Sequence, residues 1–410
     1  MNKYLYILGL AGAALFSACS NSEDLSIGES PTIDEVKESA LIYEASQNSE
    51  VPITLGISRG YTRKPLDPSD ASGNFETPDG KYFGVFCLAT GTQSGVDVSK
   101  IPSAIREYRW YTTDTENLIV RLKNVPAKVR KVGTTSDVIF VDPDNTSNEK
   151  YYYYPMTNWM KYNFYAYYPR QGDGTLSFSK NQVLQTNYEI DGSQDLIWGM
   201  SDQVNLASVA ADPYCANYFR LAKEAAGGGD ISTYYPKFTF KHKFVQFRFF
   251  VKAADASLAT LKSLNAQVTD MYIANVYSNL TLVVANKLDP EYNGTLSKFN
   301  SSTKNLRIKK NDSDVNRFDQ ESPYGDENLD NPLAINVSTV DVTSDAPVGY
   351  IMLPRPEVFK VTNYKYQLVV KLEYTGGSNM VAIDMDPPTG GFVEGMTYNI
   401  VINIKSSDLE

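Results

Sequence analysis

Short segments in which apolar and polar residues alternate recur along this chain and restrict its possible folds most strongly. Val51, Ile53, Leu55 and Ile57 alternate with polar or small residues, and Tyr398–Ile404 repeats the pattern. A period of two residues places the apolar side chains on one face of a β-strand. The 20 prolines, 26 glycines and 29 tyrosines fit short strands joined by turns.

Helical patterns are few, and none alternates regularly with the strands, which argues against a parallel βαβ architecture. The 410 residues are enough for two or three domains. A run of Ala and Gly at 225–229 separates two blocks of strand patterns. We therefore predict an all-β chain of two β-sandwich domains in tandem, at residues 51–236 and 237–410.

The first residues predict export. Lys3 precedes the apolar stretch Tyr4–Leu15, which is too short to span a bilayer, and Leu15-Phe16-Ser17-Ala18-Cys19 matches a lipobox. We predict a signal peptide at 1–18, an acyl chain such as palmitate on Cys19, and a polar, acidic tether at 19–50. The lipid would then anchor the chain in the outer membrane for export to the cell surface. An ordinary signal peptide cut near Ala18 is the alternative.

The net charge and the single histidine argue against several classes of function. A net charge of −10 repels phosphate backbones, so we predict no nucleic-acid partner. His242 is the only histidine, which is too few for a multi-histidine metal site, and no phosphate-binding glycine motif is present. We predict no enzyme activity, no metal and no cofactor. A surface hydrolase with paired carboxylates stays open, because acidic residues are plentiful.

The two cysteines after Cys19 are Cys87 and Cys215. An oxidising compartment would allow them to pair. However, Cys87 lies in an apolar strand pattern, which favours two buried thiols that pack as small apolar side chains.

An aromatic cluster near residue 160 has two interpretations. Its members include Tyr152, Trp159, Tyr165 and Tyr167, and aromatic residues fall on both faces of the strand pattern Lys161–Tyr168. In the first interpretation one face packs in the core and the other against a second domain. In the second, the cluster is an exposed patch that binds a glycan or a partner protein.

Several segments, in order along the chain, resemble blocks of the fimbrillin-like proteins, which are subunits of type V fimbriae. These segments are Tyr154-Pro155, Tyr162–Pro169, Asp195–Gly199, Phe240–His242 with Val245–Phe249, and Gly395–Ile400. With the lipobox, they span nearly the whole chain. The resemblance implies a structural or adhesive subunit of a cell-surface fimbrium, built of two transthyretin-like domains.

The resemblance also implies a maturation step. Such subunits are cut by an Arg- or Lys-specific protease, which frees the first strand, and a neighbouring subunit fills the groove by strand addition. Arg59-Gly60 follows the alternating segment Val51–Ser58, so the cut is expected there, with Arg63 and Lys64 as runners-up. Pro52 suits an edge strand. The implied partners are other fimbrial subunits, a glycan or protein receptor, and the outer membrane through the lipid.

The position in the fimbrium follows from the closing strand. Stalk subunits carry a donor extension beyond this strand, whereas six mostly polar residues follow Ile404. We therefore favour a tip or accessory subunit over a stalk subunit. The alternative function is a free-standing surface lipoprotein that binds glycans through the aromatic cluster.

Overall fold

The structure is a computed structural model that describes residues 48–57, 77, 80–92, 97–101, 106, 108–111, 116–132, 135–156, 160–201, 214–310 and 332–409. β-Strands dominate these residues, which confirms the predicted mainly β class. The α-helices among them are short: α1 (Glu116–Ile119), α2 (Ala216–Ala225) and α3 (Leu258–Ser263). No helix of the described residues is long and apolar enough to cross a membrane.

A closed barrel forms the first part of the chain. Its strands, with their neighbours, are β1 (Asn48–Pro52), β2 (Leu55–Ile57), β3 (Phe83–Thr92), β4 (Val120–Val132), β5 (Thr135–Phe140), β6 (Tyr153–Pro155), β7 (Met160–Tyr168), β8 (Leu176–Phe178), β9 (Val183–Glu189), β10 (Ile197–Ser201) and β11 (Lys237–His242). The barrel order is β10-β11-β2-β5-β4-β3-β7, and β7 pairs with β10 to close it. Closure leaves the barrel without a free strand edge. Inside, the Phe83 ring lies 4.8 Å from that of Phe240 and 5.1 Å from that of Tyr168.

Two sheets packed face to face form most of the second part. The strands are β12 (Val245–Ala253), β13 (Gln267–Tyr277), β14 (Asn279–Asn286), β15 (Leu296–Lys298), β16 (Thr303–Arg307), β17 (Lys309–Lys310), β18 (Leu333–Ala334), β19 (Gly349–Leu353), β20 (Tyr366–Tyr374), β21 (Gly377–Met385) and β22 (Thr397–Ile404). One sheet has the order β17-β19-β12-β22 and the other β16-β13-β20-β21, with β18 also on β13. Phe247 of the first sheet contacts Tyr366 of the second, with ring centroids 6.1 Å apart.

A third sheet, in the order β15-β14-β9-β8, joins the two parts. It contains β8 and β9 of the first part and β14 and β15 of the second. The loop after β9 adds to this junction, because the Met352 amide of β19 donates to the Gly192 carbonyl at 2.8 Å. The two parts are therefore joined by main-chain hydrogen bonds.

The sheets divide the chain later than the sequence predicts. β11, which we expected to open the second domain, pairs with β10 and β2 in the barrel, and the first strand of the two-sheet part is β12, from Val245. The physical reason is that Phe238 and Phe240 are buried in the barrel beside Phe83. Because the aromatic alternation continues from β11 into β12, the sequence does not mark the change of sheet. The transthyretin-like topology stays a prediction.

Candidate functional site: the seat of the N-terminal strands

Residues 48–57, called here the N-terminal segment, are the feature on which the predicted maturation depends. Ile53 and Leu55 are buried, at 5% and 2% exposure, while Val51 and Ile57 are half-buried against the core. The predicted apolar face is therefore present. The segment is not one strand, however: β1 ends at Pro52, and β2 begins at Leu55 in another sheet. Proline has no N–H to donate, so a ladder ends readily there.

β2 is held on both sides, so the prediction of an edge strand is wrong for β2, whereas β1, which contains Pro52, pairs with β6 alone. On one side Leu55 and Gly56 pair antiparallel with Val138 and Asp137 of β5. On the other side β2 runs parallel to β11, and the Gly56 amide donates to the Pro236 carbonyl at 2.9 Å. β2 therefore closes the barrel between β5 and β11.

β1 is held by the short strand β6 and by one arginine. The Ile53 amide donates to the Tyr152 carbonyl at 2.7 Å, next to the β1–β6 pairing. Arg121 donates through Nε to the Tyr153 carbonyl at 3.0 Å, and its guanidinium also bonds the Asn48 side chain. The residues next to Arg121 in the sequence give no indication of this role. Its role depends on a contact with Asn48, which is 73 residues away along the chain and leaves no local signal.

We call the partners of the N-terminal segment, β5, β6 and β11, the strand seat. β2, with three residues, is the only strand between β5 and β11. Loss of the segment would therefore leave a free edge on each of these two strands. The two fully buried side chains, Ile53 and Leu55, contribute about 1.5–3 kcal/mol each by burial. A new strand with the same alternation could recover that free energy together with the ladder hydrogen bonds.

The structure separates the residues of the predicted aromatic patch. Tyr165 and Tyr167 are buried, at 3% and 0% exposure, so they form no exposed platform. Tyr167 instead donates to the Asn124 side chain at 2.6 Å. Tyr152 directly precedes β6, and its ring packs edge-on against Phe140 of β5, with ring centroids 5.3 Å apart; burial raises the pKa of Tyr152. Trp159 lies outside the described residues.

The predicted lipidation and cleavage sites lie outside the described residues. This holds for Cys19, for Arg59 and Gly60, and for the runner-up cleavage residues Arg63 and Lys64.

The two cysteines and the histidine in the described part of the chain are buried. Cys87 and Cys215 form no disulfide with each other, and burial raises the pKa of the Cys87 thiol well above its usual value. His242 is 9% exposed, and its Nδ1 contacts the buried carboxylate of Asp195. Among the described residues no group of three His, Cys, Asp or Glu side chains is placed to hold a metal ion.

The last described residues fold back on their own domain. Ser406–Leu409 form a helical turn in which Leu409 is 6% exposed. Tyr374 donates to the Leu409 carbonyl, and Asn379 donates to the Asp408 carbonyl at 3.0 Å. This turn is packed against β20 and β21 rather than extended.

Comparison with solved structures finds likenesses in Bacteroidetes surface proteins. A candidate cell adhesion protein from Bacteroides uniformis aligns over 89% of this chain and 96% of its own, with 14% identity and a TM-score of 0.43. One from Parabacteroides distasonis covers 89% and 91%, with 11% identity and a TM-score of 0.40. The fimbrial anchor protein Mfa2 from Porphyromonas gingivalis covers 82% of each chain, with 9% identity and a TM-score of 0.26. Values this low establish neither a family nor a function.

No protein-family model and no curated protein matches the sequence.

Proposed function

We propose that this chain is a structural or adhesive subunit of a cell-surface fimbrium, made as an outer-membrane lipoprotein with its lipid on Cys19. A protease cuts after Arg59, the N-terminal segment leaves, and a strand from another subunit takes its place. The observation that carries the proposal is that β2 lies between β5 and β11 and closes the barrel with only three residues.

The position of Arg59 supports the cut. It follows Ile57, the last residue of β2, by two positions, so cleavage there separates both β1 and β2 from the rest of the chain. Both strands pair only with β5, β6 and β11 among the described strands. Their release therefore leaves the other strand pairs of the barrel in place.

We propose further that the subunit accepts a strand but does not donate one, as at a tip or in an accessory position. The support is the turn Ser406–Leu409, which is held by Tyr374 and Asn379 and buries Leu409. Residues engaged in this way are not available as an alternating donor strand. The burial of Tyr165 and Tyr167 gives no support to the alternative, a lipoprotein that binds glycans through that cluster.

The test compares two substitutions at one position in intact cells. Arg59→Ala removes the basic side chain, whereas Arg59→Lys keeps a charge that an Arg- or Lys-directed protease can recognise. We expect wild-type protein in surface fibres to start at Gly60, and Arg59→Ala protein to keep its N-terminal segment and stay out of fibres. Arg59→Lys protein should behave like wild type if the protease accepts both residues.

Two neighbouring basic residues require a control. Arg63→Ala and Lys64→Ala together should leave incorporation unchanged, since the proposed cut lies before them. If the Arg59→Ala chain enters fibres as efficiently as wild type, with residues 48–57 still attached, the proposed maturation is wrong. Folding of every variant is checked by the melting temperature of its uncut form, which should match that of the uncut wild type.

A further inference from the structure

The last strand of the two-sheet part, β22, is an unusually unprotected sheet edge. It lies at the end of the order β17-β19-β12-β22, and no described strand pairs with its outer side. Its eight residues, TYNIVINI, contain no charge, no proline and no glycine. Exposed edges in soluble proteins usually carry charges, prolines or bulges that prevent pairing with another chain. This edge has none of these features.

The main-chain direction of β22 follows from two hydrogen bonds. The Met396 carbonyl accepts from the Gln246 amide of β12 at 3.0 Å. The Ile404 carbonyl accepts from the amide of Ala254, the residue after β12, at 2.8 Å. These carbonyls are an even number of residues apart, and peptide groups alternate in direction along a strand. The main-chain groups of Asn399, Val401 and Asn403 therefore point away from β12.

Exposed apolar side chains are concentrated around the same edge. Val401 is 36% exposed, and the connection between β21 and β22 adds Val393 at 53% and Met396 at 47%. These are three of the eleven large apolar side chains that are exposed in the described residues. A grouping of this kind on a soluble protein marks an interaction surface.

We propose that β22 pairs antiparallel with β22 of a second copy of this chain, about a two-fold axis at Val401. In this register Val401 lies opposite Val401 of the second copy. Asn399 lies opposite Asn403 of the second copy, and Ile400 opposite its Ile402. Each pair matches in polarity, and no charged side chain opposes one of like sign. The groups that point away from β12 are the ones that this register joins, so two four-stranded sheets become one sheet of eight strands.

The ends of the pairing are set by the chain itself. The Lys405 amide donates to the Asp408 carboxylate at 2.7 Å, so it is already bonded where the ladder would continue. Tyr398 and Ile400 are half-buried in each copy and gain cover across the axis. A contact of one surface with itself closes after two copies and forms no filament. It does not depend on cleavage at Arg59.

The test uses charge at the axis. Val401→Lys and Val401→Asp each place like charges opposite each other in a symmetric dimer, which destabilises paired strands. Sedimentation of the uncut chain should show a dimer for wild type and monomers for either variant alone. An equimolar mixture of the two variants should dimerise again, because the axis then joins a lysine to an aspartate. Val98→Lys, at another exposed valine, serves as the matched control and should sediment as wild type.

Each result decides the proposal. A dissociation constant raised at least about tenfold in each single variant, with recovery in the mixture, supports it. A wild type that stays monomeric up to its solubility limit overturns it, as does a dimer that neither charge variant weakens. Capture of a strand from a different protein at this edge, with no self-association, also overturns it. Melting temperatures equal to that of wild type show that the variants are folded.

Discussion

Individual tyrosines in the core differ in what their hydroxyl groups contact. Tyr366 donates to the Pro354 carbonyl at 2.7 Å, whereas the Tyr154 hydroxyl has no hydrogen-bond partner among the described residues. Both side chains are fully buried, and burial raises the pKa of each well above 10. Residues of the same type therefore contribute differently to stability.

Replacing each tyrosine by phenylalanine separates the two contributions. At pH 7 we expect Tyr366→Phe to cost about 1–3 kcal/mol, because the buried carbonyl loses its partner. Tyr154→Phe should leave the free energy of unfolding unchanged or raise it, because no hydrogen bond is lost and a buried hydroxyl without a partner is removed. Urea unfolding of both variants measures the difference, and equal costs would contradict the assigned hydrogen bonds.

The same pair predicts the effect of alkaline pH. Unfolded tyrosines ionise near pH 10, while these buried ones stay protonated, so above that pH the unfolded state binds fewer protons. Stability should therefore fall as pH rises above about 10. Tyr154→Phe removes one such group and should make the fall shallower than in wild type. A stability that does not change between about pH 9 and about pH 11 would contradict the burial of these rings.

Leu55 tests the seat of the N-terminal segment at a single side chain. It is 2% exposed in β2, whereas Leu288, in a surface turn, is 71% exposed. Leu55→Ala should lower the free energy of unfolding by about 2–5 kcal/mol through lost burial and the cavity left behind. Leu288→Ala should stay within about 0.5 kcal/mol of wild type. Similar values for the two variants would show that Leu55 is not packed in the barrel.

At the scale of elements, the sheet shared by β9 and β14 depends on a close approach between the two parts. Trp198 of β10 donates through Nε1 to the Val284 carbonyl of β14 at 2.9 Å. Gly294, between β14 and β15, has φ +71° and lies under the Trp198 ring, where a Cβ atom would be 2.4 Å from Cε3. Only glycine fits this contact.

Two glycines with positive φ separate backbone strain from steric conflict. Gly390 has φ +94°, and no atom lies within 4 Å of the position that a Cβ would take, so Gly390→Ala meets backbone strain alone, about 1–2 kcal/mol. Gly294→Ala adds overpacking against Trp198, about a further 1–3 kcal/mol. In thermal unfolding, the melting temperature of the Gly294→Ala variant should be lower than that of the Gly390→Ala variant. The reverse order would contradict the packing of the β14–β15 turn on Trp198.

The elements also show how far the sequence predicts the fold. Alternation correctly predicts which side chains of the N-terminal segment face the core, because burial and period are local properties. It does not predict that β2 lies between β5 and β11, or that β11 belongs to the barrel. The pairings of β2 join residues 81 to 181 positions apart along the chain, for example Gly56 with Asp137 and Gly56 with Lys237. Likewise, aromatic composition cannot distinguish a buried Tyr167 from an exposed one.

At the scale of the whole molecule, the barrel and the two-sheet part are joined by main chain as well as side chains. The β15-β14-β9-β8 sheet takes two strands from each part, and the Gly192 carbonyl accepts from Met352 of the second part. The N-terminal segment takes no part in this junction. Its loss is therefore expected to open the barrel locally and to leave the junction between the two parts intact.

The most direct test of the central claim is to replace the N-terminal segment by a free peptide. The chain is cut after Arg59, the fragment is removed in denaturant, and the refolded remainder is mixed with a peptide of residues 48–58. A control peptide of the same composition has neighbouring residues exchanged, which moves the apolar side chains to the other face. The account predicts a lower melting temperature for the cut chain than for the intact one. At 100 times its Kd the native peptide should raise the free energy of unfolding of the cut chain by about 2.7 kcal/mol, and the melting temperature with it, whereas the control peptide should raise neither. A cut chain as stable as the intact one, or equal recovery with both peptides, would contradict it.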